Sequence, residues 1–186
     1  MEGRQGEASY AAAVNEPWRP DKSTLDETDK KVLADFERYG WHCMHVHDEG
    51  ELPYWSFSIG VFRSWQHPEL VVFGLKDTVA HDLMTQLVNR IKTDESFSPR
   101  RDYKDILEGH RCRFIRVDPL WYSGFLGYAQ WFYETEEGFP VLQLVWPDQQ
   151  GLYPWQAGYA ITDGSQPLLV SDEEAVALGF APPEQK

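Results

Sequence analysis

The sequence has little of several features that mark whole classes of protein. It contains two cysteines, Cys43 and Cys112, without Cys-x-x-Cys spacing, so it shows neither a zinc ribbon nor a dithiol redox motif. No stretch approaches the roughly 20 apolar residues of a membrane helix. The start of the chain lacks the basic and apolar regions of a signal peptide. Together these absences predict a cytoplasmic protein with reduced thiols and no membrane association.

Basic side chains are also scarce. There are 17 lysines and arginines against 30 acidic side chains, which gives a formal net charge of −13 at neutral pH. A surface this acidic repels phosphate backbones, so we expect no nucleic-acid partner. The same charge suits electrostatic attraction of a basic protein.

The familiar catalytic and cofactor signatures are missing as well. The sequence has no Gly-rich phosphate loop, no dinucleotide fingerprint and no Gly-x-Ser-x-Gly elbow. Neither cysteine precedes an evident helix N-terminus, so nothing marks a reactive thiolate. The sequence therefore specifies no cofactor and leaves open whether the protein is an enzyme.

What the sequence does have is apolar and aromatic material for a core. Hydrophobic residues make up 42% and aromatic residues 15% of the 186 residues, which suits one folded domain. Aromatic side chains are densest over residues 121–155. We expect a flexible leader over residues 1–22, a domain over 23–160 and a C-terminal extension over 161–186.

Local patterns predict three helices. The first has a capping-box spacing between Thr24 and Glu27 and ends at Gly40. Asp77 is the predicted N-cap of the second, and the third runs from about Leu120 to Tyr133 after Asp118 and Pro119.

Strands are predicted between and after these helices, whereas residues 94–105 look like a polar loop. The clearest alternation of large and small side chains is Trp55-Ser-Phe-Ser-Ile-Gly-Val61, and Leu70-Val-Val-Phe73 reads as a strand buried on both faces. Three more segments have strand character: 41–46, 112–117 and 141–146. The predicted fold is a single α+β domain, with a mixed, mostly antiparallel sheet of about five or six strands packed with three helices.

One cluster of side chains raises the question of a metal site. The first predicted strand carries His42, His45 and His47, and alternation puts Cys43, His45 and His47 on one face. Two imidazoles spaced in this way can bind one ion, with Glu49, Glu51 or His67 as possible further ligands. A polar strand end that enters a turn explains the same residues, and we favour that interpretation.

Two other features suggest contact with a ligand. Ser56, Ser58 and Gly60 form a strand face without bulk, which suits close approach of a ligand or, as we favour, of a packed helix. Arginines such as Arg101 are concentrated over residues 100–116. Arginine forks suit an anion, but pairing with the surplus acidic side chains explains them more simply.

Several blocks of sequence resemble one known family. They are Gly40-Trp-His42, Trp55-Ser-Phe-Ser-Ile-Gly60, His67-Pro-Glu-Leu-Val-Val-Phe-Gly-Leu75, Leu126-Gly-Tyr-Ala-Gln-Trp-Phe-Tyr133 and Phe139-Pro-Val-Leu-Gln-Leu-Val-Trp-Pro-Asp148. Over about residues 25–156 the chain is similar to a bacterial family catalogued as domain of unknown function 4262. The resemblance implies that the aromatic segment belongs to the scaffold, so function is expected at its polar edges, at Tyr128, Gln143 and Asp148. It also implies that His45 and His47 are a local variation, which weighs against a metal.

These observations leave two functional hypotheses. The favoured one is a non-catalytic binding module for a protein partner, such as an immunity protein that neutralises a toxin. The alternative is a small enzyme with an aromatic-walled pocket for a flavin or another planar ligand, in which His42, His67, Glu69 and Arg101 supply the polar groups.

Overall fold

A computed structural model describes residues 25–47, 53–135, 138–161 and 165–179 of the chain. These residues contain a six-stranded sheet with strand order β1-β2-β3-β6-β5-β4. Strands β3 and β6 are parallel, and the other neighbouring pairs are antiparallel. The predicted mixed, mostly antiparallel sheet is therefore confirmed. The strands are β1 (His42–Val46), β2 (Trp55–Ile59), β3 (Glu69–Phe73), β4 (Asp102–Leu107), β5 (His110–Arg116) and β6 (Val141–Val145).

Helices pack on both faces of this sheet. They are α1 (Glu27–Tyr39), α2 (Val61–Trp65), α3 (Asp77–Ile91), α4 (Tyr122–Phe125), α5 (Gly127–Tyr133) and α6 (Asp172–Ala177), with a 3₁₀ turn at Pro119–Trp121. The short helices α2 and α6 were not predicted. In the described part of the chain, no helix is both long and apolar enough to cross a membrane.

The ends of the first two predicted helices differ from the sequence prediction. The capping box of α1 joins Asp26 and Asp29, whose carboxylates accept each other's backbone N–H groups. The predicted cap at Thr24 lies outside the described residues. Asp77 is the first residue of α3 and not its N-cap; the cap position is Lys76, whose side chain makes no capping bond.

The predicted helix from Leu120 to Tyr133 is wrong as a single element. It consists of the 3₁₀ turn, α4 and α5, and the chain leaves helical geometry at Leu126, where φ is −128° and ψ is 27°. Gly124 and Gly127 flank this break and weaken helix propagation there. The break therefore separates α4 from α5.

The predicted loop over residues 94–105 is also partly wrong, because β4 begins at Asp102. This strand pairs with β5, but its register shifts between Tyr103 and Leu107. The buried side chains of this strand are Tyr103 and Ile106. Because they are three residues apart, the sequence does not show the two-residue period of a strand.

Each face of the sheet has its own core. On one face, α1, α4 and α5 cover large apolar side chains of β1 and β2, including Trp55 and Phe57. On the other face, α3 covers Leu70 and Val72 of β3. Residues 165–178 add a third cluster, in which Val170 packs near Ile115 of β5 and Val145 of β6.

Candidate functional site

An open groove of about 820 Å³ lies between α1, β1 and the α4–α5 segment. Its volume falls in the range of roughly 300–1,000 Å³ that is common for binding sites. The apolar residues that line it are Met44, Val46, Trp55, Phe57, Phe125, Tyr128 and Trp131, and the others are Thr28, Asp29, His45, His47, Ser123, Gly124 and Gly127.

The local sequence explains how the aromatic wall of this groove forms. Trp55 and Phe57 share a sheet face because residues two apart on a strand point the same way. Tyr128 and Trp131 share a face of α5 because they are three residues apart. Their ring centroids are 6.1 Å apart, with the ring planes at 76°. The Trp55 indole N–H donates to the Phe125 carbonyl at 2.9 Å. This hydrogen bond holds the Trp55 ring of the groove against α4.

Two glycines leave the groove open at the junction of α4 and α5. A Cβ atom built on Gly124 or Gly127 would meet no atom within 4 Å. Neither residue has the positive φ angle that would require glycine. Neither packing nor backbone conformation therefore requires glycine at these two positions. The effect of the glycines is to leave backbone exposed to the groove.

The charge around the groove is acidic. Asp29 lines it, and Asp29 shares the capping box at the start of α1 with a second carboxylate, that of Asp26. No lysine or arginine is present among the described residues that line the groove. Strand β1, which forms one wall, is an edge strand of the described sheet. The groove therefore combines partly exposed rings, negative charge and a sheet edge.

A second polar site lies at the other end of α5, and it is closed. Glu69 has 1% of its surface exposed, at the start of β3. Its carboxylate accepts hydrogen bonds from the Gly60 and Phe62 backbone N–H groups, at 2.9 and 3.0 Å, and from the Ser58 and Tyr133 hydroxyls. The Ser58 hydroxyl accepts in turn from the N–H of Leu70, at 2.8 Å. We call this set the Glu69 cluster.

The Glu69 cluster acts as a structural junction. Burial raises the pKa of Glu69 above its ordinary value, and the four hydrogen bonds only partly oppose that shift. The carboxylate ties the turn between β2 and α2 to β3 and to the end of α5. A group with four internal donors and almost no exposure has little capacity to meet a substrate.

His67 lies near Glu69 in sequence but has separate partners. Its Nδ1 is 2.8 Å from the Pro68 carbonyl, and its Nε2 is 3.0 Å from the Phe97 backbone nitrogen. An Nδ1–H tautomer satisfies both contacts, because Nδ1–H donates to the carbonyl and Nε2 accepts from the Phe97 N–H. Burial lowers the pKa of His67, which favours the neutral ring.

The remaining histidine and serine candidates lie on opposite faces of the sheet. His42 Nδ1 is 2.8 Å from the Asp35 carboxylate of α1, and burial lowers the pKa of His42 despite that acidic neighbour. On the α3 face, His45 Nδ1 is 2.8 Å from the Ser56 hydroxyl. His47 Nε2 is 2.7 Å from Asp77.

The last three candidates are separate from one another. The Arg101 guanidinium lies over the Tyr103 ring, 5.1 Å from its centroid. The buried Gln143 amide donates to the Pro167 carbonyl at 2.7 Å and accepts from the Leu169 N–H at 2.9 Å, so it holds the C-terminal segment on the sheet. Asp148 accepts from the N–H groups of Gln150, Leu152 and Ala160, each at 2.9 Å, and so organises the turn after β6.

The structure thus divides the candidates predicted from sequence. Tyr128 lines the groove with its ring, whereas His45 and His47 border the groove but turn their rings to Ser56 and Asp77 on the α3 face. Glu69 and Ser58 form the closed cluster, and the other candidates lie elsewhere, namely His42, His67, Arg101, Gln143 and Asp148. Sequence reasoning missed Trp131 and Tyr133 as members of these sites. The spacing of three between Tyr128 and Trp131 was the available signal for the groove.

Fold and site together define an α+β protein with an aromatic groove beside an edge strand. The chain belongs to the family described as "Domain of unknown function (DUF4262)", whose model matches residues 35–160. This confirms the family predicted from sequence. No curated protein and no solved structure gives a significant match to the chain.

Proposed function

We propose that this protein is a non-catalytic binding module, and that the aromatic groove takes an extended, basic segment of a partner protein with an apolar anchor residue. The observation that carries the proposal is the pairing of partly exposed rings with an acidic rim. Tyr128 and Trp131 offer aromatic faces, and Asp29 supplies a carboxylate in the same groove. Tyrosine, tryptophan and a desolvated pocket are typical of the energetic centre of a protein interface.

Charge decides which partner fits best. A lysine or arginine of the partner gains from the carboxylate of Asp29 and from the face of an aromatic ring. The net charge of −13 would speed the encounter with a basic protein and disfavour an acidic one. A nucleic acid does not fit this charge.

The position of β1 supports an extended partner segment. A strand laid along an exposed sheet edge can pair through its main chain while alternate side chains enter pockets. Met44 and Val46 point into the groove from this edge strand. Alternate residues of the partner would therefore face the groove, with an apolar side chain against the rings and a lysine or arginine two positions away near Asp29.

A selection from a random peptide library tests this proposal. Peptides are selected on the full chain and counter-selected on the Tyr128→Ala/Trp131→Ala variant. We expect enrichment of sequences that carry an apolar and a basic residue two positions apart, on one strand face, with at least about tenfold weaker binding to the double variant. Peptides that are acidic, or that bind both proteins equally, would contradict the proposal.

A planar small molecule is the second candidate occupant, because the groove volume also suits a ring system. Titration with flavin mononucleotide, monitored by flavin fluorescence, distinguishes the two occupants. Two results together would favour the planar ligand. Flavin quenching would disappear in Trp131→Ala, and no selected peptide would compete with the flavin for the groove. We place the protein in the cytoplasm, which agrees with its two free, buried thiols.

A further inference from the structure

A cluster of potential metal ligands lies on the α3 face of β1, separate from the Glu69 cluster. Its members are Cys43 and His45 of β1 and His81 of α3. Each offers one ligand atom, and the three atoms lie within 4.8 Å of one another. His81 joins the cluster across the interface between helix and sheet, which the β1 sequence alone could not reveal.

The fold brings these three side chains together for identifiable reasons. Cys43 and His45 are two residues apart on a strand, so they point to the same face. The His81 ring centroid is 5.6 Å from that of His45 and 6.5 Å from that of Trp41, which places His81 over the edge of β1. One thiol and two imidazoles are a donor set that suits zinc and its neighbours in the first transition row.

The surroundings orient this donor set. The His45 Nδ1 contact with the Ser56 hydroxyl, at 2.8 Å, fixes the ring, and an Nδ1–H donor leaves the Nε2 lone pair for an ion. Ser56 is buried, so this outer partner is held in place. Burial raises the pKa of the Cys43 thiol, and the negative charge of Asp77, one helical turn before His81, raises it further.

We propose that Cys43, His45 and His81 bind one divalent transition-metal ion of the zinc class, with solvent as the fourth ligand. Metal–ligand bonds of about 2.0–2.3 Å bring the three atoms within roughly 3.5 Å of one another, so the side chains need to close by about 1 Å. Burial raises the pKa of the Cys43 thiol to about 12 in the metal-free protein. Binding therefore transfers the thiol proton to solvent, and the ion charge stabilises the thiolate.

His47 is outside the proposed ligand set. It contacts Asp77 at 2.7 Å and lines the aromatic groove. The proposed site therefore replaces the His45 and His47 pair considered from sequence with one that uses His81. Of the three proposed ligands only His45 borders the groove, and its ring contacts Ser56 on the α3 face, so variants of Cys43 and His81 test the metal site without changing a groove residue.

Titration of the reduced, full-length protein with Co²⁺ tests the proposal, because a cobalt–thiolate bond gives a charge-transfer band in the near ultraviolet. We expect one equivalent of Co²⁺ to bind and to produce that band. We expect Zn²⁺ to displace the bound Co²⁺ and so to remove the band. Cys43→Ser should abolish the band. Cys112→Ser should keep it, and this variant is the matched control because Cys112 is also buried and free.

Two further variants keep the test decisive if Cys43→Ser folds poorly. His81 is exposed, so His81→Ala leaves the core intact and should weaken Zn²⁺ binding by about a hundredfold or more. Ser56→Ala removes an outer partner and should weaken it by roughly 10-fold. The absence of a charge-transfer band in the wild-type protein, a band that persists in Cys43→Ser, or unchanged Zn²⁺ affinity in His81→Ala would each overturn the proposal.

Discussion

The two ends of α5 contribute to regions of opposite character. At its C-terminal end, Tyr133 donates to Glu69 in a cluster where every polar group has an internal partner. At its N-terminal end Tyr128, together with Trp131 two residues before Tyr133, presents its ring to an open groove. One helix of seven residues thus supplies a buried junction and the wall of a binding surface.

The contrast teaches how to separate structural from functional polar residues in this protein. Glu69 has the features of a catalytic carboxylate when it is considered alone, since it is buried and its pKa is raised. Its hydrogen bonds instead join two strands and two helices. The groove has less polar chemistry but more accessible surface. Variants should therefore separate stability from binding.

The largest expected effect is on stability, from Glu69→Ala. This change removes four hydrogen bonds and leaves the buried Ser58 and Tyr133 hydroxyls without their acceptor, so we expect a loss of about 4 kcal/mol in the free energy of unfolding. Denaturant unfolding measures it. Glu37→Ala, at an exposed position, should stay within about 0.5 kcal/mol. Equal losses in the two variants would refute the structural role of the cluster.

The next effect concerns binding, from Trp131→Ala. Loss of a central aromatic side chain should weaken the binding of a selected peptide by about 2 kcal/mol, which is a roughly 30-fold loss of affinity. Trp155→Ala is the matched control, because that partly exposed ring stacks on Tyr153 away from the groove. Fluorescence anisotropy of a labelled peptide gives both affinities. A weaker affinity in Trp155→Ala alone would point to another surface.

A smaller expected change in stability accompanies Gly124→Phe, which fills the groove. A side chain at this position enters open space, and replacing a helical glycine offsets part of any cost, so stability should change by less than about 1 kcal/mol. Peptide binding should fall by at least about 10-fold because the groove is occupied. The same anisotropy assay and thermal unfolding test this variant. Full binding by the Gly124→Phe protein would show that the peptide binds elsewhere.

The smallest effect is a dependence of stability on pH that distinguishes Asp148 from Glu69. Burial alone would raise the pKa of Asp148, but hydrogen bonds from backbone N–H groups hold it below its ordinary value. Its stabilising contribution is therefore complete above the unfolded pKa of about 3.9 and is lost as pH falls through the lower folded pKa. The difference in unfolding free energy between the wild type and Asp148→Asn should shrink from pH 5 to about pH 3.

Glu69 should show the opposite sign. Its folded pKa is raised, so the favourable contribution of the protonated form is present below about pH 4.3 and is lost as pH rises through the folded value. The difference between the wild type and Glu69→Gln measured over the same pH series reports this trend. The same slope for both carboxyl groups would contradict the comparison.

Sequence predicted the elements in which local pattern and tertiary burial agree. The strand from Trp55 and the apolar run from Leu70 both occur as expected, although the predicted alternation extended two residues too far, because Gly60 caps α2 and Val61 begins it. The spacing of aromatic residues over this segment predicted one continuous helix. It did not predict the break at Leu126, which follows from the two flanking glycines, Gly124 and Gly127. The register shift in β4 removed its two-residue period in the same way.

The candidate sites were harder to predict because they depend on long-range contacts. Glu69 meets Tyr133, which is 64 positions away, and the groove joins α1, β1, β2, α4 and α5. No sequence period encodes such meetings. Tyr128 was found because it lies on a polar edge of the aromatic segment, whereas Trp131 looked like core and is only half-buried.

The most direct test of the groove as the binding surface is the affinity of one selected basic peptide for three proteins: wild type, Trp131→Ala and Trp155→Ala. Binding by a groove predicts a loss of roughly 30-fold in Trp131→Ala and no more than about twofold in Trp155→Ala. Equal affinity for wild type and Trp131→Ala, with both proteins fully folded, would contradict the account.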